Sequence, residues 1–527
     1  MGKRVGGGVV VRIGYTRPPG VGDPLACERC ERQNRFKALV KTAVFQPSDR
    51  RAAIVSRVAL AAFLTFAGMA AHPTSGAAET LLDALSATYS YSPTLDAERA
   101  RQRARDEDIA RANSGYRPDI NASASVGREG NWTKGQGNIL NNHSVSSPRG
   151  YAIDAVQPLF TGFQVTNAVN AAEANDRAGR ETLRQTEQQV LLDAVTAYGD
   201  VVRDQAIVKL NENNLKFLDA ELKATQDRFN VGEVTKTDVA QAQARRALGQ
   251  SDLDLSRANL KSSRAIYEQV VGHPPTRLVE PNPNTRLVPR SVDDAVAIGT
   301  KENPQVVQAL YSEQAARFTV DQVRGQLLPQ AQLEANWTDS LDPSEGIDRG
   351  SSASLVGRVN VPIYPQGGEV YAQIRQAKHT HISLLQQIEE ARSLTQSQVV
   401  QAWAQLQGFK AQAESDRASI TANTTALEGV KEEERVGQRT LLDVLNAQQE
   451  LLQSQVNLET TKRNILVASY TLVSSIGRLS VSEVGAASQV YHPEVHYQEV
   501  RNKWFGIDIT HDDGRREHID VPERPIK

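Results

Sequence analysis

The stretch DRFNVGEVTKTDVAQAQ, Asp227 to Gln243, returns near the C-terminus as EEERVGQRTLLDVLNAQ, Glu432 to Gln448. In constant register, Val231-Gly232 match Val436-Gly437, Thr235 matches Thr440, Asp238-Val239 match Asp443-Val444, and Ala242-Gln243 match Ala447-Gln448. A glycine breaks one helical run, and Thr and Asp three residues apart are the residue types that begin the next. Each copy reads as the tip of a helical hairpin. A duplication of this length governs every local motif inside it.

The duplication extends in both directions. Ser92-Pro93, opening a helical run, corresponds to Asn303-Pro304, and Arg117-Pro118, closing it, corresponds to Leu328-Pro329. Gln157-Pro158-Leu159-Phe160 resembles Val361-Pro362-Ile363-Tyr364, and Gly272 and Gly477 end the two copies. The expected organisation is a first repeat over 79–290, a second over 291–478 and a C-terminal extension over 479–527.

The segment ahead of the repeats has a different character. The apolar run Val58 to Ala71 follows Arg50, Arg51 and Arg57 and precedes Gly76-Ala77-Ala78. That is the pattern of a secretory signal peptide, expected over 51–78 with cleavage after Ala78. Residues 1–50 then form an N-terminal extension or reflect a mis-assigned start. Cys27 and Cys30 are the chain's two cysteines; they lie before the signal with no second pair, so the CxxC is not read as a zinc or redox site. The exported part is expected to fold without disulfides.

A net charge of −2 and the lack of basic clusters interleaved with aromatics give no case for nucleic acid. The chain carries no GKS/T loop, nucleophile elbow or HExxH, so no catalytic residue and no cofactor are expected. His492 and His496 have helical metal-ligand spacing but no acidic or Cys partner nearby in sequence, and no metal site is assigned.

Two kinds of element follow from the patterning. Ala331, Leu333, Ala335 and Trp337 alternate with Gln332, Glu334 and Asn336; Leu355, Gly357, Val359 and Val361 alternate with Val356, Arg358 and Asn360. In the first copy Ile120, Ala122, Ala124 and Val126 alternate with Asn121, Ser123 and Ser125, and Tyr151, Ile153 and Ala155 with Ala152 and Asp154. Period two with one apolar and one polar face describes four strands, separated by expected loops over 127–150 and 339–352. Four strands leave two open edges, whereas the smallest common membrane barrels need about eight. Either helices cover a soluble sheet, or several chains pool their strands.

The helices are long. Gln164 to Phe229 runs without proline, and at ~1.5 Å per residue such a helix reaches about 100 Å. Gly368 to Arg435 is its counterpart. Val201, Val208, Leu215 and Leu222 step by sevens, and Leu445, Leu452, Leu466 and Val473 keep to multiples of seven, the spacing of coiled-coil seams. The return helices, from Thr235 to Val271 and from Thr440 to Arg478, are shorter. Single helices over 79–115 and 292–328, stacked end to end with them, would make up the difference.

This ordered set of motifs resembles the TolC family of outer-membrane channel-tunnels over Glu79 to Arg478. The carrying features are the NP-type helix start, the QPLFTG and VPIYPQGG strand exits, and the two VGxxTxxDV tips followed by an Ala-Gln helix. The resemblance implies a mainly α fold with a membrane β-barrel: long antiparallel hairpins plus four strands per chain in two tandem repeats. A homotrimer then closes a twelve-stranded barrel above an α-helical periplasmic tunnel. It implies outer-membrane lipid around the barrel, a periplasmic adaptor protein, and an inner-membrane transporter of the ABC or RND type. It also implies a periplasmic entrance at the tips, with Asp443 facing the pore and Arg439, Thr237 and Asp238 linking neighbouring hairpins. Val231, Gly232, Thr235, Val436, Gly437 and Thr440 are then the tip residues expected to meet the adaptor. Asn446 and Glu434 depart from the pattern, which elsewhere has an Asp and an aromatic there. The tail YHPEVHYQEVRNKWFGI resembles extensions of channels paired with type I secretion systems. The expected function is an export duct; the competing reading is a periplasmic coiled-coil scaffold or adaptor with a soluble sheet.

Overall fold

A computed structural model describes residues 78–133, 142–281, 286–344, 347–486, 489–510 and 516–517. Cys27, Cys30, the N-terminal extension and the signal segment, except Ala78, lie outside the described residues.

Two prolines set the first departure from expectation. Instead of one helix over 79–115, α1 (Leu81–Tyr91) stops at Ser92 and α2 (Pro93–Asn113) begins at Pro93. The second copy breaks identically, into α5 (Val292–Glu302) and α6 (Pro304–Arg324). Proline lacks an N–H and suits the first helical position, where that donor has no intrahelical partner. Ser92 and Asn303 cap the new helices, accepting from Leu95 N at 3.4 Å and Gln305 N at 2.9 Å.

The rods run unbroken through the expected proline-free stretches and stop just before the tip glycines Gly232 and Gly437. Helix α3 (Gln164–Asn230) and helix α7 (Glu369–Arg435) have 67 residues each, and α4 (Lys236–Val271) and α8 (Leu441–Ser475) return alongside them. Helix α8 stops at Ser475 rather than Arg478, because Gly477 turns the chain at φ 86°. Of the seams, Leu445, Leu452, Leu466 and Val473 are all buried, whereas only Val201 of the first is; Val208, Leu215 and Leu222 are half-buried.

Each return helix meets a short helix end on, by different means in the two halves. Glu79 N donates to Arg277 O (2.9 Å) and Val279 N to Glu79 O (3.1 Å), a small parallel bridge between the chain after α4 and the start of α1. Around it lies the largest apolar core, with Leu85, Leu191, Val195, Tyr198, Tyr267 and Tyr470. Buried phenols need partners. The Tyr198 hydroxyl donates to Val279 O at 2.6 Å, and that of Tyr267 to the Glu79 carboxylate. In the second half the junction is polar at its rim: Asn303 Nδ2 donates to Ser475 O at 2.8 Å, and Arg478 grips Glu302 at 2.8 and 2.9 Å.

Strands β1 (Asp119–Val126), β4 (Arg149–Phe160), β5 (Gln330–Ser344) and β6 (Ile347–Asn360) form one antiparallel sheet in the order β1-β4-β5-β6. The expected loop over 339–352 is mostly strand, with Asp339 opposite Ser351 and Leu341 opposite Arg349. Much of that over 127–150 is also strand: β2 (Glu129–Thr133) pairs with β3 (Asn142–Ser146). Gly, Ser and Asn residues there carry no alternating pattern, yet an antiparallel ladder needs only their backbone groups. Where the sheet meets the rods, Gly162 and Gly325 touch backbone to backbone; a Cβ on either would lie 2.4 Å from the other's carbonyl oxygen.

The tail folds back. After α9 (Val481–Val484), α10 (Pro493–Val500) packs on α2, and β7 (Ile509–Thr510) pairs with β8 (Arg516–Glu517).

Candidate functional site: sheet faces and hairpin tips

Register sorts the sheet's side chains into two faces, because directly opposed residues point the same way. Ile120, Ala155, Ala335 and Leu355 form one row, and Ala122, Ile153, Trp337 and Ala353 the next. This face is apolar and open, with Ile120 at 65% and Leu355 at 69% exposure. On the other face Asn121, Asp154, Asn336 and Ser354 share a row, as do Gln332 and Arg358. Here the side chains bond one another: Asn336 Nδ2 donates to Asp154 Oδ1 at 2.5 Å, and Arg358 reaches both Glu334 oxygens at 2.7 and 2.9 Å. The expected alternation holds, except that Val361 lies just past the end of β6. Among the described residues, the outer edges of β1 and β6 carry no partner strand.

The tips are locally self-sufficient in their hydrogen bonds. Thr235 Oγ1 accepts from Asp238 N at 3.3 Å, while Asp238 accepts from Thr235 N and Oγ1, each at 2.8 Å. Thr440 and Asp443 repeat the arrangement at 3.3, 3.0 and 2.9 Å. These are reciprocal capping boxes. Bonds from the Thr backbone N–H, then from its hydroxyl, hold both carboxyls below the usual Asp range. Gly232 (φ 84°) and Gly437 (φ 79°) supply the left-handed residues that end α3 and α7. Val231, Val436, Thr237 and Arg439 are exposed at the surface, whereas Val239 and Val444 pack inward.

Within the chain, Arg439 does not reach Asp238 or Thr237. Its Nε lies 3.0 Å from Glu433 of the same hairpin, close enough to Asp443 to add to the lowering there. The two hairpins are joined instead by Arg228 and Glu434, 2.6 Å apart, and by Arg245 and Asn446 at 2.5 Å. Both partners in the second hairpin are the positions where the sequence departs from the family pattern. Gln448 Nε2 adds a bond to Asn214 Oδ1 at 3.1 Å. Sequence reading missed these links; for Arg228–Glu434 the signal available was opposite charge beside the two matched tips, and the links to amides had none.

Metal chemistry finds no support among the described residues, which contain no cluster of three or more potential ligands. His496 Nδ1 is instead 2.7 Å from Asp106 Oδ2. None of the described helices is long and apolar enough to cross a membrane, a statement that does not concern strands.

A sheet with one wet and one exposed apolar face, carried on helical rods of about 100 Å, fits the outer-membrane channel class. The sequence places it further. The chain belongs to the outer membrane efflux protein family, whose model matches residues 84–273 and 300–478. It is 38% identical over 431 residues to the outer membrane efflux protein BepC of Brucella suis biovar 1, covering 81% of this chain and 92% of BepC. It is 23% identical to the outer membrane protein TolC of Escherichia coli, over 77% of this chain and 84% of TolC. The outer membrane protein VceC of Vibrio cholerae shares the fold, with a TM-score of 0.64 at 17% identity, over 75% of this chain and 96% of VceC. The protein is therefore an outer-membrane export channel, and the soluble scaffold reading is set aside.

Proposed function

We propose that three copies of the chain pool their sheets into one twelve-stranded barrel, with the hairpins of all three forming an α-helical tunnel through the periplasm. The observation that carries this is the four-stranded sheet with two unpartnered edges and an exposed apolar face. Open strand edges are not tolerated in hydrocarbon, and closure removes them. The two tandem repeats, 79–290 and 291–478, each give one long rod, one return helix and two strands of the main sheet. The tips meet a periplasmic adaptor through Val231, Gly232, Thr235, Val436, Gly437 and Thr440. An inner-membrane ABC or RND-type transporter supplies the energy for export.

In the trimer, three Asp443 carboxylates surround one narrow axis and favour cations. Arg439, exposed and paired with Glu433, exchanges that partner for Asp238 or Thr237 of a neighbouring hairpin. Light scattering of the detergent-solubilised protein tests the assembly. A trimer is expected, and a monodisperse monomer overturns the shared barrel.

A further inference from the structure

Polar contacts hold part of the C-terminal extension at one height on the molecule. Arg501 pairs with Glu173 at 3.0 Å, and Asn113 Nδ2 donates to Arg501 O at 3.1 Å. Arg117 Nη1 donates to Lys503 O at 2.8 Å, and its guanidinium lies 4.7 Å over the Trp504 ring. Arg117 stands two residues before β1, so Trp504 sits where rods give way to sheet.

Beyond this clamp the chain turns at Gly506 (φ 108°) and leaves three large apolar side chains in the open: Trp504, Phe505 (87% exposed) and Ile507 (80% exposed). Trp504 is packed on one side by Arg117, whereas Phe505 and Ile507 take no part in the contacts that dock the tail. They are not alone at this height. Tyr116, Phe160, Phe163 and Tyr364, at the helix and strand ends of the same junction, are also exposed. Phe160 and Phe163 meet edge to face, and Gln157 Nε2 ties β4 to Tyr116 O at 2.9 Å. Exposed aromatic side chains gathered where membrane strands end are the composition of an interfacial belt, where amphipathic rings rest at the headgroup level.

We propose that Trp504, Phe505 and Ile507 insert into the periplasmic leaflet of the outer membrane. The tail thereby extends the aromatic belt of the barrel as a non-covalent anchor, with Arg117 and Lys503 at the phosphate layer. The occupant is phospholipid, favoured by the exposed aromatic side chains at the neighbouring strand ends and by Arg117 and Lys503 at the base of the segment. The proposal rests on the barrel reading, and its test separates the two.

The full-length protein is reconstituted in vesicles of phosphatidylethanolamine and phosphatidylglycerol carrying bromine at defined acyl positions. One variant keeps only Trp504 (Trp132→Phe, Trp337→Phe, Trp403→Phe), and a second keeps only Trp337 on the apolar sheet face. Trp504 should lose most fluorescence to bromine near the glycerol end of the acyl chain and little to bromine near its terminus. Adding Phe505→Asp and Ile507→Asp to the first variant should shift Trp504 emission to the red and abolish quenching. A Trp337 signal that is quenched beside a Trp504 signal that is not overturns the anchor and leaves the barrel standing. Blue-shifted but unquenched Trp504 emission also overturns it, by placing the segment against protein. If neither tryptophan is quenched, the barrel reading falls and the anchor falls with it.

Discussion

The two ends of the molecule are built for different surroundings. At the sheet end, polar side chains satisfy one another on one face while Ile120, Leu355 and Val359 stand open on the other. At the tips Val231 and Val436 stand exposed among polar groups, and Thr235, Asp238, Thr440 and Asp443 form local capping boxes. An apolar surface exposed in water is costly, and one exposed to hydrocarbon is not. A capping box in water needs nothing further. The sheet end thus suits a second, apolar solvent and, in the proposed barrel, further strands, whereas the tip is complete as a turn and free to exchange its outer contacts.

The largest effect should come from placing charge on the apolar face. Leu355→Arg, opposite Ala335 in the middle of its strand, should cost about 2–4 kcal/mol and prevent assembly. Val359→Arg lies one residue from the end of β6 and should cost only about 0–1 kcal/mol, as near an interface. Heat-modifiable migration of the outer-membrane fraction reads both. Equal tolerance of the two would erase the contrast between the ends.

Removal of a cap acts more weakly. Thr440→Ala should lower stability by ~1 kcal/mol and leave barrel assembly intact. Denaturant melts followed by circular dichroism, beside the gel assay, show whether the loss stays at the tip.

Smaller still are changes that affect only how the entrance conducts. In planar bilayers Arg439→Ala and Glu434→Ala should raise single-channel conductance by loosening hairpin contacts. Asp443→Ala should reduce cation preference with little change in conductance. Unchanged conductance in the first two and unchanged reversal potential in the third would leave the tip as a turn alone.

The smallest effect concerns the tail, between the ends. Burial raises Asp176 to about 7, and neighbouring Asp106 adds to this, while Arg180 at 2.9 Å and Gln102 oppose it. His496, Glu494, Glu173 and Tyr497 also face this cluster. The native state keeps the proton where the unfolded chain, at its ordinary value of 3.8, has lost it. The stabilisation is therefore full below that value and is lost as pH rises through about 7. Hydrogen exchange over α10 should be faster at pH 8 than at pH 5, beyond the intrinsic pH effect. Asp176→Asn should flatten that difference.

Much of this organisation was legible because it rests on local rules. Proline-free runs, a glycine followed by Thr-x-x-Asp, and apolar alternation each act within a few residues, and they gave the rods, the tips and the four strands of the main sheet. Helix breaks at Pro93 and Pro304 were readable from the same proline rule but were subsumed into longer runs. The β2/β3 hairpin left no trace, since its Gly, Asn and Ser residues alternate nothing. Pairing of Arg228 with Glu434, and docking of His496 on Asp106, depend on how helices far apart in sequence are rotated against each other. That rotation is a tertiary property without a local signature.

The uninterrupted length of α3 and α7 has a mechanical consequence. A stiff rod of about 100 Å pivoting at its sheet end moves its tip by ~10 Å for a tilt of only about 6°. In the proposed trimer, leverage of this kind lets an aperture at the far end widen substantially while the pivot scarcely stirs. The Gly162–Gly325 backbone contact lies at that pivot, and Arg228–Glu434 lies at the far end of the arm, where a weak latch has the greatest mechanical advantage.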